Sequence, residues 1–315
     1  MYLARMAVRR VVQLLPILFG ITLVSFFLLR LIPGDPVRQI LGSHYTPDLA
    51  GPVRKSLGLD LPVWEQYWDF LRSALTGGLG HSYFYNQPVS GLIGQRIGAT
   101  LSLIILSALF TAALSIPLGM VSGMRRGGAV DQSTRVFLLI GFAVPSFLLG
   151  IVLLLVFAVK VPVFPVSGYG DGLVEHLSHL FLPAVTLAIP FSTVLVRSLR
   201  SSVIDILDSD FVTTARLKGI SGWQVAIRHV LRNGIVAVIT VFGVNLAFLV
   251  GGTVIVEKVF AIPGIGTLLV DSVSNRDYPV VQALTLLFAV FVVAVNLLTD
   301  VVHVGLDPRL AADAR

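Results

Sequence analysis

The chain has 315 residues, 55% of them hydrophobic and only 13% charged, with a mean hydropathy of +0.89. A water-soluble domain of this length cannot hide so much apolar surface, so the composition excludes one and predicts an integral membrane protein. The net charge of +6 would suit a nucleic-acid binder, but the basic residues are placed as membrane orientation requires, and the lack of cysteine excludes disulfides and thiolate metal sites.

Six apolar runs approach the length needed to cross about 30 Å of hydrocarbon as helices: Val11 to Leu31, Thr100 to Gly123, Val136 to Val159, Leu180 to Val196, Ile235 to Val256 and Val280 to Val302. The expected fold is all-α, with six transmembrane helices. The first run follows Arg5, Arg9 and Arg10 but is too long for a signal-peptide core and lacks a small-residue cleavage site, so it reads as a retained span. Arg125, Arg126, Arg135, Arg197, Arg200, Lys218 and Arg309 fall on the same side as those N-terminal arginines, whereas the opposite short loops hold only Lys160, Lys258 and Arg276. Lysine and arginine accumulate in cytoplasmic loops, so both termini are expected in the cytoplasm.

Residues 33–98 form an outer region with turn signals at Pro33-Gly34-Asp35-Pro36 and Thr46-Pro47-Asp48. Within it, Pro62 to Leu75 spaces Trp64, Tyr67, Trp68 and Leu71 as one helical face, with Asp60 as the expected cap. This helix is expected to pack on the bundle rather than form a small domain of its own. The core then runs over residues 99–303, followed by a tail at 304–315. Pro16, Pro117, Pro145, Pro183 and Pro190 lie inside runs, where proline removes a helical hydrogen bond; either they mark a bundle that moves or they reflect the ordinary frequency of proline in membrane helices.

Two further outer segments stand out. Lys160 to His179 contains VPVFPVSGYGDG, and its His176 and His179 are the one close histidine pair, without the carboxylate or thiol partners a metal site needs. Glu257 to Pro279 contains the sharp break Pro263-Gly264-Ile265-Gly266, then Leu268, Leu269 and Val273 at helical spacing, which reads as a re-entrant or interfacial gate, with a plain surface helix as the alternative.

The most informative stretch is cytoplasmic, residues 198–234, and above all Asp210 to Gly234 (DFVTTARLKGISGWQVAIRHVLRNG). A connection between neighbouring spans needs only a few residues, so a long segment carrying helix signals implies docking. Asp208 or Ser209 can cap a first short helix with Phe211, Val212 and Ala215 on its apolar face, and Gly219 can end it in the left-handed conformation. Ser221 to Gln224 fits a capping box opening a second helix bearing Trp223, Ile227 and Val230. The small residues Thr213, Thr214, Ala215 and Gly219 permit close approach by a partner. A DNA-reading helix pair would be more basic and would not be held at a membrane.

Here the chain resembles a known family. Thr213-Thr214-Ala215, three residues and then Gly219 resemble the EAA-x3-G coupling motif of permease subunits in bacterial ATP-binding-cassette importers, and Asp210 to Val238 is similar to the peptide and nickel branch. Ile32 to Pro36, Leu57 to Tyr67, Gly77 to Tyr83, Pro165 to Gly170, Glu257 to Gly266, Arg276 to Ala283 and Leu306 to Arg309 also look like segments of that branch, in order. Departures are Thr213-Thr214 in place of Glu-Ala, Gly78 where aspartate is usual, and Ala237 where proline is expected. The resemblance implies the type I ABC importer permease fold, a second homologous permease subunit, two ATP-binding-cassette ATPases and an extracytoplasmic solute-binding protein, in the inner membrane. It further implies that Thr213, Thr214, Ala215, Arg216, Lys218, Gly219 and Trp223 couple to the ATPases.

No G-x-x-x-x-G-K-[ST] occurs, so ATP and Mg²⁺ are expected in the partner subunits and this chain is expected to be a transport subunit, not an enzyme, with no cofactor of its own. The middles of the six runs carry no Asp, Glu, Lys or Arg, which disfavours an ion-coupled secondary transporter. Asn245, Gln282 and Asn296, with Pro263, Gly264 and Gly266, are the candidates for a translocation path or gate; the three amides could equally tie helices together. The expected cargo is a dipeptide or oligopeptide, with chelated nickel as the runner-up and a secondary transporter or a membrane scaffold as readings from other classes.

Overall fold

The computed structural model describes residues 16–27, 30, 35–221, 224–225 and 232–306. Among these residues the fold is all-helical, with one isolated antiparallel bridge between His81 and Pro88 and no strand. Among the described residues three helices are long and apolar enough to cross a membrane, Val89–Met124, Leu173–Leu207 and Tyr278–Thr299, and one bent pair passes the same test together. Contacts divide the chain into two units, residues 1–100 with 263–293 and residues 101–262 with 294–315.

In the first unit, α1 (Pro16–Phe27) is followed by α2 (Pro36–Leu41), α3 (Pro47–Ser56) and α4 (Val63–Leu75). Both expected turn signals are helix starts. The side chains of Asp35 and Thr46 accept from the backbone N–H groups of Val37 and Leu49, and each is followed by a proline, whose fixed φ and missing N–H suit the first helical position. Arg54 of α3 is ion-paired with Asp35, which ties the two helices together.

Helix α4 differs from expectation in two ways. Pro62, not Asp60, occupies its N-cap, and no side chain caps it; the Pro62 carbonyl instead accepts from Glu65 and Gln66. Of the expected aromatic face only Tyr67 is buried, its ring 5.2 Å from Phe26 and 6.0 Å from Phe19, and its hydroxyl 3.0 Å from Thr22 Oγ1. Trp64 and Trp68 are 66% and 60% exposed, because the α1 rings meet the Tyr67 and Phe70 side of the helix.

Helix α5 (Val89–Met124) begins eleven residues before the expected run, and at 36 residues is about 54 Å long. Its first turns in this unit, Val89, Leu92 and Ile93, pack with Ile265 and Leu268 of α11 (Ile265–Ser274) and with Val280 and Leu284 of α12 (Tyr278–Leu306).

The second unit is organised around α8 (Leu173–Leu207), whose Leu195, Val196, Leu199 and Val203 are at most 1% exposed. It packs against α6 (Ala129–Ala143), α7 (Ser146–Leu154) and α10 (Arg232–Val259). Between α8 and α10 lies α9 (Asp210–Leu217). Glycines set the closest approaches. A Cβ on Gly119 or Gly123 of α5 would lie 2.9 Å from Leu199 or 2.6 Å from Val203, so the Gly-x3-Gly spacing of one helix receives the i, i+4 apolar pair of the other.

The expected third span is broken: α6 and the helix from Ser146 to Lys160 meet at 103°. Val144 is extended, as the residue before a proline prefers, and Pro145 cannot donate back to α6. The far end is a π-helical turn, Leu155–Lys160. By contrast, α8 continues through Pro183 and Pro190, and α5 through Pro117.

Candidate functional site

Among the described residues of the segment 198–234, two features differ from expectation: the cap at the start of α9, and Phe211, expected on the apolar face but 49% exposed. Ser209 caps α9 with its carbonyl, which accepts from Val212 and Thr213, while its hydroxyl donates back to Ile206. Asp208 ends α8 instead. Val212 and Ala215, three apart, are buried at 0% and 7%. Phe211, Thr214 and Lys218 recur at i, i+3 and i+7 on an exposed side, and Leu217 beside them is 84% exposed.

Gly219 ends the helix with φ +78°, and Ile220 N–H donates to the Ala215 carbonyl, the long-range bond of a left-handed helix cap. Two residues on, the Ser221 hydroxyl accepts from Gln224 N–H at 3.4 Å and its carbonyl from Val225 N–H at 3.0 Å, which is the serine half of the expected capping box. Trp223, Ile227 and Val230 lie outside the described residues, as does the side chain of Arg216. Thr213 and Thr214 turn their hydroxyls onto the carbonyls of Ser209 and Asp210, leaving their methyl groups as the outward small surface.

The amides expected on a translocation path are in different places. Asn245 on α10 donates to the Val241 carbonyl at 2.7 Å and lines a cavity of 420 Å³ in the second unit, beside the α6–α7 break at Val144, Pro145 and Ser146. Its other walls include Phe191, Phe248 and Gly252. Gln282, 8% exposed, lines a different cavity, in the first unit. Asn296 is exposed near the end of α12.

Pro263 is exposed, Gly264 caps α11, and Gly266 is buried. Ile265 N–H donates to Thr100 Oγ1 at 2.9 Å, and Ile265, Gly266, Leu268 and Ser272 are all buried. The segment is therefore a packed part of its unit, not a plain surface helix.

Asp131 and Asp277 are buried carboxylates that no local sequence signal marks. Asp131, 0% exposed at the start of α6, receives Arg200 of α8 in a two-pronged contact, Nε at 2.6 Å and Nη2 at 2.9 Å, together with Arg135 at 3.0 Å and the Gly127 N–H at 3.0 Å. Arg135 and Arg200 thus neutralise a buried charge as well as biasing loop charge. Asp277, also 0% exposed, accepts from the Ser82 hydroxyl, from Tyr83 N–H at 3.0 Å and from Phe84 N–H at 3.3 Å.

The histidine pair does not converge. His176 stacks on Tyr169 with centroids 3.9 Å apart and places Nδ1 2.8 Å from that residue's carbonyl, while His179 Nδ1 lies 2.9 Å from the Glu175 carbonyl. Each ring is occupied by a local backbone contact.

With this geometry in hand, comparison with known proteins is direct. The family described as binding-protein-dependent transport system inner membrane component matches residues 115–312, and the N-terminal family of such membrane components matches residues 3–104. The chain is 36% identical over 305 residues to the probable peptide ABC transporter permease protein y4tP of Sinorhizobium fredii, covering 96% of this chain and 97% of that one. It is also 36% identical over 303 residues to the glutathione transport system permease protein GsiC of Escherichia coli K12, with the same coverage. An inward-facing structure of the MetNI methionine ABC transporter aligns with 69% of this chain and 97% of its own at a TM-score of 0.56 and 15% identity, a likeness of fold.

Proposed function

Because the chain belongs to the family of inner-membrane components of binding-protein-dependent transport systems, and is an ABC importer permease subunit and not itself an enzyme, we propose that it passes small peptides inward as one of two related permease subunits. Two ATPases on the cytoplasmic side supply ATP hydrolysis with Mg²⁺, an extracytoplasmic binding protein delivers the cargo, and lipid surrounds the spans. Both termini face the cytoplasm, in keeping with the distribution of arginine and lysine.

The observation that carries this reading is the surface of α9. A short helix that buries Val212 and Ala215 yet leaves Phe211 at 49% and Leu217 at 84% exposure presents large apolar side chains outward, as a docking element does. Thr213, Thr214, Ala215, Arg216, Lys218, Gly219 and Trp223 form the coupling contact, with Gly219 fixing where the chain turns out of the helix. Asn245 beside the α6–α7 break belongs to the path, Gln282 and Asn296 supply further polar positions along it, and the Pro263-Gly264-Ile265-Gly266 turn serves as its gate. The names of the similar permeases, one for peptides and one for the tripeptide glutathione, favour a short peptide over a chelated metal.

The test is affinity capture of the tagged chain from gently solubilised membranes, as wild type and as Gly219→Trp. A Cβ at Gly219 meets nothing within 4 Å in this chain, so the indole strains the positive-φ cap and obstructs a partner rather than the fold. Wild type should bring down a P-loop ATPase and the variant should not. Equal recovery with both, together with normal uptake, would sink the coupling assignment.

A further inference from the structure

The first unit contains a cavity of 340 Å³, within the range of about 300–1,000 Å³ typical of small-molecule sites. Its lining includes Arg30, Gln66, Asp69, Tyr83, Tyr278 and Gln282. Three features of that lining converge on one kind of ligand.

Arg30 is held in place. Its guanidinium lies 3.4 Å over the ring of Phe26, which is itself 1% exposed, and it donates to the Phe26 carbonyl at 3.1 Å and to Gln66 Oε1. Gln66 is in turn fixed by donating from Nε2 to the Leu61 carbonyl at 2.8 Å. These contacts use part of a fork of five N–H donors. Among the described residues no carboxylate lies within ion-pair distance of Arg30. A half-buried cation with free donors and no counter-ion is stabilised by an anion that enters beside it.

Gln282 is the second feature. The residue is 8% exposed and lines the cavity, and among the described residues no hydrogen bond engages its amide, whose atoms are not fully buried. An amide group carries one acceptor and two donors, which match the N–H and C=O of a peptide bond. Third, Asp69, which also lines the cavity, opposes a second negative charge, which disfavours a phosphate dianion and tolerates a zwitterion.

We propose that this cavity binds the carboxylate end of a short peptide, with Arg30 taking the carboxylate and Gln282 the adjoining peptide group. Naming a peptide rests on the import reading above; the carboxylate site rests on the cavity alone.

The experiment is calorimetric titration of the full chain, in phosphatidylcholine nanodiscs, with alanyl-alanine, alanyl-alanine amide and inorganic phosphate. Alanyl-alanine should bind and its amide should bind at least ~10-fold more weakly, the loss expected for one charge-assisted pair. Arg30→Gln should weaken the acid to the level of the amide, and Gln282→Leu should weaken both ligands together. No binding of alanyl-alanine, equal binding of acid and amide by the wild type, or phosphate binding as tight as the dipeptide would overturn the site. The acid-against-amide comparison uses the unaltered chain, so it stands even if a variant fails to fold. Uptake by the assembled importer separates the two readings. Import of alanyl-alanine without acid-over-amide binding by the chain removes the site and leaves peptide transport, whereas acid-selective binding without import of any peptide does the reverse.

Discussion

Ser82 and Asp277 lie 195 positions apart and share a hydrogen bond, the serine hydroxyl donating to a carboxylate that is 0% exposed. Around it the backbone N–H groups of Tyr83 and Phe84 point at the same carboxylate, and the Ser82 oxygen accepts from Tyr85 N–H at 2.8 Å. The sequence segments Gly77 to Tyr83 and Arg276 to Ala283, each similar to a family segment, are therefore halves of one hydrogen-bonded unit. Asp277 is delivered there by the end of α11, where Arg276 takes φ +53° and Asp277 N–H reaches back to the Ser272 carbonyl at 2.8 Å.

Asp277→Ala should loosen the turn from 82 to 84. Three donors lose their acceptor, and an unpaired buried donor costs about 1–3 kcal/mol. Limited proteolysis between 81 and 87 should accelerate and the thermal midpoint in detergent should fall, while Asp277→Asn, which retains an acceptor, should do less harm. Unchanged protection in Asp277→Ala would show that the turn is held by something else.

Asp131 and Arg200 should show the asymmetry of a buried ion pair. Removing one partner leaves the other charged and enclosed, so Asp131→Leu or Arg200→Met alone should cost about 3–5 kcal/mol, and the double substitution should recover much of it. A thermal-stability cycle over the four proteins measures this. Additive losses would mean that the two side chains act independently.

The contact of α5 with α8 should fail on one added carbon. Gly123→Ala places a Cβ 2.6 Å from Val203, and relief by rearrangement should cost about 1–3 kcal/mol. Gly127→Ala is the control for the wrong mechanism: nothing lies within 4 Å of its Cβ, but φ is +78°, so its smaller loss is conformational. In a Val203→Gly background, which lacks both the Cγ1 at 2.6 Å and the Cβ at 2.7 Å, Gly123→Ala should cost less while Gly127→Ala should cost the same, as read by thermal unfolding.

Burial, and after it the Asp277 carboxylate, pushes the Tyr83 phenol up to about 12. An unfolded tyrosine ionises near ~10, so the stabilisation linked to the retained proton is whole below that pH and is lost as the pH rises through about 12. Absorbance at the phenolate band, wild type minus Tyr83→Phe, should show a late ionisation. A difference curve centred at the ordinary value would refute it.

Residues 209–221 are the most legible part of the sequence because their signals are local. Gly219 and Ser221 each govern a backbone conformation within a few residues, and both act as their residue types dictate. Helix α4 was read less well, since periodicity offers Trp64, Tyr67 and Trp68 equally and the choice among them is made by Phe19 and Phe26, some 40 positions away. Pro145 was visible as a helix breaker, but the 103° turn depends on how α6 and α7 each pack. The carboxylates Asp131 and Asp277 carry no local mark at all; only the fold brings Arg200 and Ser82 to them. Gly119 and Gly123 did have a readable spacing, four apart and able to receive another helix, although nothing local names Leu199 and Val203 as the guests.

The first unit draws its residues from two stretches far apart in the chain, 1–100 and 263–293. During synthesis at roughly 5–20 residues per second, about 10–40 s separate the appearance of Ser82 from that of Asp277. Throughout that interval the turn at 82 to 84 has no carboxylate to close on and Val89, Leu92 and Ile93 have no α11 to cover them. The first unit must therefore stay unfinished while residues 101–262 of the second unit are made, so its N-terminal part cannot be held by its own long-range contacts during that time.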